Sequence, residues 1–148
     1  KNLMMSLINN IFEQFYRGYG LSRSDIVKCT DIPYSNIRSS VLNKVQEERL
    51  YKFYYDIELI HSLLQNDDYT KTSGWFFSDI ADDIPFSPAD FYLQEGRKSV
   101  IDILISHDRQ QYIKDTYPQY VRGPIKFTTF VASDGELSIS VDYEQFSA

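Results

Sequence analysis

The C-terminal part of the chain carries the strongest local constraint on the fold. Two runs in which apolar residues alternate with polar ones, at 125–131 and 137–143, flank a turn sequence that contains Asp134 and Gly135. Both turn residues tolerate the positive φ that a tight hairpin requires, and Asp-Gly between alternating runs is the strongest short-range hairpin signal. The sequence therefore predicts an antiparallel β-hairpin at this end of the chain.

The N-terminal part has the spacing of helices. Residues 3–16 place apolar side chains at steps of three and four, and glycines at 18 and 20 follow them. Ser22 with Asp25 resembles a capping box and predicts a second helix over residues 23–30. A third helix is predicted from about residue 35 through residue 45.

The middle of the chain allows two interpretations. Residues 50–64 fit a helix by their leucines and isoleucines, and a strand by their alternating aromatic residues. Residues 73–79 are predicted as a short aromatic strand, and Ser87 followed by Pro88 predicts a helix start. Alternating isoleucines at 101–105 indicate a strand, with one helix over residues 97–117 as the alternative.

These elements predict an α+β fold, with N-terminal helices followed by a mainly antiparallel β-sheet and a C-terminal β-hairpin. The chain has 148 residues, 43% of them hydrophobic. A domain core can grow to roughly 250–300 residues, so we expect a single domain over 1–148, or at most two very small ones. Its residues 1–66 are expected to be largely helical, and residues 67–148 to hold an acidic segment and the sheet.

Composition excludes several classes of protein. No stretch approaches the roughly 20 apolar residues of a membrane span, so no membrane partner is expected. The N-terminal residues do not resemble a signal peptide. Cys29 is the only cysteine and cannot form an internal disulfide. We therefore expect a cytoplasmic protein.

The residue pattern does not point to catalysis. His61, His107 and Cys29 do not have the spacing of a zinc site, and the only histidines offer no acid–base pair. The acidic run 79–83 lacks the residue order of a calcium-binding loop. We expect no catalytic residues, no metal and no cofactor, and hence not an enzyme.

The net charge of −6 hides an uneven distribution along the chain. Residues 1–55 carry a net charge of +3, residues 56–96 a net charge of −8, and residues 97–148 a net charge of −1. The middle segment is either a solvated acidic face over core aromatics or a recognition surface that attracts a basic partner. For the second interpretation, the expected contact residues are Asp67, Asp68, Trp75, Asp79, Asp82, Asp83, Asp90 and Tyr92.

The basic first third of the chain contains a run at residues 25–38, DIVKCTDIPYSNIR, which resembles the helix-turn-helix of winged-helix bacterial regulators. The run QEERLY at 46–51 resembles the end of their recognition helix and the entry to the wing. This resemblance implies that the major groove of DNA would be read by Tyr34, Ser35, Asn36, Arg38 and Ser39. Nucleic acid is a partner only under this alternative.

The C-terminal run TTFVASDGELSISVDYE at 128–144 resembles the end of bacterial immunity proteins, including those that neutralise the toxins of contact-dependent growth inhibition. The resemblance implies a small acidic protein that binds a cognate toxin domain and blocks it. A nuclease toxin needs a basic cleft to bind phosphates, and an acidic, aromatic surface is complementary to such a cleft. We therefore expect a non-catalytic immunity protein, or antitoxin, whose partner is a toxin domain with a basic surface.

Overall fold

The computed structural model describes residues 2–64, 71–123, 125–131 and 133–143, with side chains described for 7–64, 71–123, 131 and 133–136. These residues form eight α-helices, one short 3-10 helix at Pro118–Tyr120 and one two-stranded sheet. The helices are α1 Asn2–Tyr19, α2 Arg23–Thr30, α3 Tyr34–Ser39, α4 Lys44–Leu63, α5 Thr72–Phe76, α6 Pro88–Glu95, α7 Arg97–Ile105 and α8 Arg109–Thr116. The strands are β1 Ile125–Val131 and β2 Leu137–Tyr143.

The predicted fold class is wrong. The described residues from 2 to 123 contain helices throughout, and no named strand precedes β1. The predicted hairpin is present, with β1 antiparallel to β2 and Thr129 opposite Ile139. It is a sheet of two strands, so the structure is dominated by helices and does not have the mainly antiparallel sheet of an α+β fold.

Two further strand predictions are also wrong. Residues 73–79 do not form a strand, because Thr72–Phe76 is a short helix that buries Trp75 and Phe76. Residues 101–105 lie in α7, where Val100, Ile103 and Leu104 share the buried face. Apolar residues spaced three and one apart are typical of a helix that faces a core. The strand prediction was wrong because it relied on the alternation of the isoleucines at 101, 103 and 105.

Residues 50–64 are helical. Helix α4 buries Leu50, Phe53, Ile57 and Ile60, which recur at steps of three and four along one side. The tyrosines at 51, 54 and 55 lie on other sides of the same helix and are half-buried or exposed. The helical stripe of large apolar residues therefore outweighed the strand preference of the aromatic residues.

The third predicted helix, residues 35–45, is two helices in the structure. Helix α3 ends at Ser39, because Ser40 adopts a left-handed conformation with φ of 59°. A new helix begins after Asn43, whose side chain accepts a hydrogen bond from the Gln46 backbone N–H, while the Gln46 side chain accepts one from the Asn43 backbone N–H. This reciprocal capping box satisfies backbone groups that would otherwise lack partners.

The chain groups into two compact units. The first unit comprises Lys1–Ser78 and Ser87–Ile105 and holds α1 to α7; the second comprises Asp79–Phe86 and Ser106–Ala148. In the first unit, Phe15 of α1 stacks on Phe53 of α4 with ring centroids 5.5 Å apart. Gly20 ends α1 with φ of +76°, and a β-carbon there would lie 2.5 Å from Ser73 Oγ, so only glycine fits.

Candidate functional site

A tight turn in the second unit carries Asp82 and Asp83. Ala81 and Ile84 close the turn, with the Ile84 amide donating to the Ala81 carbonyl at 3.0 Å. Arg122 holds the turn from outside: its amide donates to the Asp83 carbonyl at 2.7 Å, and its guanidinium donates to the Asp82 carbonyl at 3.0 Å. Arg122 thus binds the turn through the main-chain carbonyl oxygens of Asp82 and Asp83. Neither of these two contacts uses a carboxylate.

The carboxylates of this segment differ in their partners. Asp83 pairs with Lys114 of α8 at 3.0 Å, and both side chains are partly exposed. Asp79 and Asp82 are exposed, and neither carboxylate forms an ion pair within the described part of the chain. The second unit therefore presents two solvent-facing negative charges close to a rigid turn.

The remaining predicted acidic residues do not belong to this turn. Asp90 belongs to the capping box of α6, where its carboxylate accepts from the Ser87 amide at 2.8 Å. A carboxylate committed to a helix N-terminus is held there by that hydrogen bond and the helix dipole. Asp67 and Asp68 lie outside the described residues.

The two predicted aromatic anchors face the interior of the first unit. Trp75 is 5% exposed and belongs to the core. Tyr92 lies between Phe53 and Phe76, with ring centroids 5.8 Å from each. Its hydroxyl donates to the Asp56 carboxylate at 2.6 Å. Neither ring therefore offers an exposed anchor in this conformation.

Sequence reasoning missed the buried carboxylate of Asp56. Its side chain is 2% exposed, and it receives Lys52 Nζ at 3.0 Å and Arg97 Nη1 at 3.3 Å as well as the Tyr92 hydroxyl. Burial, followed by this carboxylate, raises the pKa of Tyr92 above its usual range, so the hydroxyl remains a donor. The cluster links α4 to α6 and α7. The only sequence signal for it was an acidic residue within the buried stripe of α4.

Arg23 of the first unit also has partners within the structure. The Arg23 guanidinium donates to the carbonyls of Ile37 at 2.7 Å and Arg38 at 3.2 Å, and lies 4.5 Å from the centre of the Phe12 ring. Such a guanidinium stabilises the C-terminal end of α3. Among the cations of residues 1–55, Arg23 is therefore bound to backbone carbonyls and Lys52 is paired with a buried carboxylate.

Helices α2 and α3 form the two-helix part of the predicted helix-turn-helix. Three residues connect them, with Asp31 left-handed at φ of 57° and Ile32 fully buried. Helix α3 exposes four of the five predicted DNA-contact residues, namely Tyr34, Ser35, Arg38 and Ser39. Asn36 is half-buried, and its side-chain amide donates to the Val41 carbonyl at 3.0 Å. Residues 46–51, expected at the entry to a wing, lie in the first turns of α4.

The two histidines and the cysteine have different surroundings. His61 Nδ1 lies 2.7 Å from Thr72 Oγ1, and His107 is exposed in the segment before α8. Burial raises the pKa of the Cys29 thiol to about 12, which leaves it protonated at neutral pH. Among the described residues, no group of three or more histidine, cysteine or acidic residues could hold a metal ion.

Comparisons with known proteins give no relative for this chain. No family model, no curated protein and no solved structure matches it. Among the described helices, none is both long enough and apolar enough to cross a membrane.

Proposed function

We propose that this chain is an immunity protein, or antitoxin, that acts in the cytoplasm and binds a cognate bacterial toxin domain. In the simplest case the toxin is a nuclease, and the chain neutralises it by covering its basic active site, with no catalytic step of its own. The observation that carries the proposal is the Asp82–Asp83 turn, whose backbone is held by Arg122 while the Asp82 side chain faces solvent.

Two physical effects favour such a turn as a binding element. Exposed carboxylates steer a basic partner toward the surface and raise the association rate. A backbone that is already fixed loses little conformational freedom on binding, so more of the contact energy appears as affinity. Asp79 and Asp82 supply the charge, and Ala81, Ile84 and Arg122 supply the fixed frame.

Three of the predicted contact residues are occupied by contacts within the first unit. Trp75 is buried, and Tyr92 and Asp90 serve contacts within the first unit. We therefore assign the electrostatic contacts to Asp79, Asp82 and Asp83. The resemblance to immunity proteins lies in the sequence of the hairpin, which the structure forms.

The test uses the C-terminal domain of the protein that is encoded immediately upstream of this chain. Isothermal titration calorimetry would measure the Kd of the wild-type chain and of Asp79→Lys/Asp82→Lys. These two carboxylates form no described ion pair, so the double reversal should leave the fold intact, which circular dichroism checks. We expect the Kd to rise by about a hundredfold.

The matched control is Glu47→Lys/Glu48→Lys on α4, which makes the same change in net charge. The control is expected to keep the wild-type Kd within about threefold, because the effect depends on place and not on net charge. An equal loss in both variants would contradict the assigned site. Absence of binding by the wild-type chain would contradict the proposed function.

A helix-turn-helix DNA-binding regulator is the second candidate. The observation that favours it is the exposed row on α3 that includes Tyr34, Ser35 and Arg38, next to a turn in which Ile32 is buried. Helix α3 has only six residues, which is short for a helix that reads several base pairs.

Fluorescence anisotropy with mixed-sequence duplex DNA at low salt tests this candidate. A DNA-binding protein would show salt-dependent binding that Arg38→Ala weakens, with Lys28→Ala on α2 as the control. No binding at low salt would exclude it.

A further inference from the structure

The exposed side of α4 in the first unit carries three large apolar residues. Val45 and Tyr55 are 57% and 61% exposed, and Leu59 is 38% exposed. With the exposed residues Glu48 and Lys52 between them, they recur along α4 at alternating steps of three and four. Residues spaced in this way lie on one stripe of a helix. Helix α4 therefore presents a mixed apolar and charged stripe to solvent, apart from the stripe that it buries in the core.

The exposed stripe of α4 is complementary to itself in an antiparallel pair of helices. Its spacing is that of a coiled-coil seam, in which the residues of one helix interlock with those of a facing helix. When a second copy runs antiparallel, Val45 faces Tyr55 of the second copy. In the same register, Glu48 faces Lys52 of the second copy. The two-fold axis of such a pair makes each of these contacts twice.

The flanks of the stripe fit the same arrangement. Lys44 and Glu58 lie two heptads apart on one flank, so the antiparallel register sets Lys44 opposite Glu58 of the second copy. Val41, which is exposed just before α4, lies at the level of Leu59 of the second copy. Lys44, Glu48 and Glu58 form no ion pair within the described part of the chain. Charge complementarity therefore selects a second copy of this chain as the partner of the stripe.

We propose that two copies of this chain associate through α4, antiparallel and around a two-fold axis near residue 50. Lys52 keeps its bond to Asp56 in this pair, because its ammonium has three N–H donors and its side chain is 69% exposed. One contact opposes the pairing, since Arg49 of the two copies lie side by side next to the axis. A seam of this length with charged residues at its centre stabilises a weak dimer. This inference does not depend on the toxin or on the Asp82–Asp83 turn.

Sedimentation equilibrium of the whole chain, from about 1 μM to about 1 mM, tests the association. We expect a monomer–dimer equilibrium with a Kd of about 10–100 μM. Glu48→Lys places like charges in both central pairs and should raise this Kd about tenfold. Glu47→Lys makes the same change in net charge on another side of α4 and should stay within about twofold. Arg49→Ala removes the repulsion at the axis and should lower the Kd about twofold to fivefold.

Circular dichroism checks that each variant keeps the wild-type helix content. A wild-type chain that stays monomeric over the whole concentration range would overturn the proposal. Equal effects of Glu47→Lys and Glu48→Lys would also overturn it, because the association would then respond to net charge and not to the stripe.

Cross-linking tests the antiparallel register. On a Cys29→Ala background, a short bismaleimide should join two copies of Arg49→Cys, because this position lies next to its counterpart at the axis. Glu58→Cys is the matched control, since its two copies lie about 20 Å apart along the pair. Efficient linking of Glu58→Cys, or no linking of Arg49→Cys at concentrations that give dimers, would overturn the antiparallel arrangement. Because both experiments use this chain alone, their failure is distinct from failure of the proposed function.

Discussion

The two units of the molecule differ in where they place the carboxylate nearest to their bound arginines and lysines. In the first unit, Lys52 and Arg97 converge on the buried Asp56 carboxylate, and Arg23 is bound to backbone carbonyls. In the second unit, Arg122 binds the backbone of the Asp82–Asp83 turn, and the Asp82 carboxylate faces solvent. Internal pairing therefore decides what each unit presents outward.

This difference explains why the charge of a sequence segment is a poor guide to its surface. Residues 1–55 have a net charge of +3, yet Arg23 and Lys52 have partners inside the first unit. Glu47 and Glu48 lie on α4 without ion pairs in the described structure. We infer that the exposed surface formed by residues 1–55 is less basic than their net charge of +3 indicates.

The largest expected effect concerns the reactivity of the Cys29 thiol in the first unit. The pKa of the Cys29 thiol is raised from 9.0 to about 12, mainly by burial. Because only the thiolate reacts, alkylation of the native chain by iodoacetamide should be roughly a thousandfold slower than alkylation of the urea-unfolded chain. Mass spectrometry of the alkylated chain over time measures both rates, and rates within tenfold of each other would contradict the raised pKa of Cys29.

The same raised pKa makes a prediction about stability at alkaline pH. The folded chain holds the thiol proton more tightly than the unfolded chain, so this contribution is fully present below about pH 9. It is lost as the pH rises through about 12. The free energy of unfolding of the wild-type chain should therefore fall more steeply over this range than that of Cys29→Ala, as measured by urea denaturation.

The next largest effect concerns the buried carboxylate of the first unit. Asp56→Ala leaves the Tyr92 hydroxyl without its acceptor and removes the counter-charge of Lys52 and Arg97. We expect a loss of about 2–3 kcal/mol, which is below the usual figure for a broken buried pair because both cations can reach water. Urea denaturation at constant m-value measures the loss.

Asp102→Ala is the control for that measurement, because Asp102 accepts from Lys98 at 2.6 Å in a more exposed pair. Its loss should stay below about 1 kcal/mol. Equal losses in the two variants would show that the buried carboxylate of Asp56 contributes no more to stability than an exposed one.

The smallest of these effects lies in the second unit. Arg122→Ala removes the guanidinium bond to the Asp82 carbonyl, and the turn should open more often. Hydrogen exchange of the Ile84 amide, which closes the turn, should accelerate about tenfold. Asp82→Asn keeps the backbone contacts and should leave that exchange rate unchanged. Unchanged protection in Arg122→Ala would contradict the anchoring role of the guanidinium.

Local capping signals in the sequence predict some helix boundaries and miss others. Ser22 and Ser87 have capping residues three positions later, and both open helices as expected. The Asp134–Gly135 hairpin also forms, because its signal is local. The break at Ser40 was missed, since the capping box of Asn43 and Gln46 lies inside what reads as one continuous helix.

The sequence does not predict which residues the charged groups contact. Asp56 meets Tyr92 across 36 positions, and Arg122 meets Asp82 across 40. Helix packing and loop closure create these pairs, and no local pattern encodes them. For the same reason, the sequence left open whether Trp75 and Tyr92 are surface anchors or core residues. In the fold Trp75 is buried, and Tyr92 is half-buried against Phe76.

The most direct test of the central claim is the electrostatic potential near each backbone amide. NMR relaxation caused by a cationic and an anionic paramagnetic cosolute of the same shape measures this potential on the native chain. We predict that the cationic cosolute causes the stronger relaxation around Asp82, and also along α4 near Glu47, Glu48 and Glu58. Stronger relaxation by the anionic cosolute at both places would contradict the account, because the molecule would then present a basic surface to its partners.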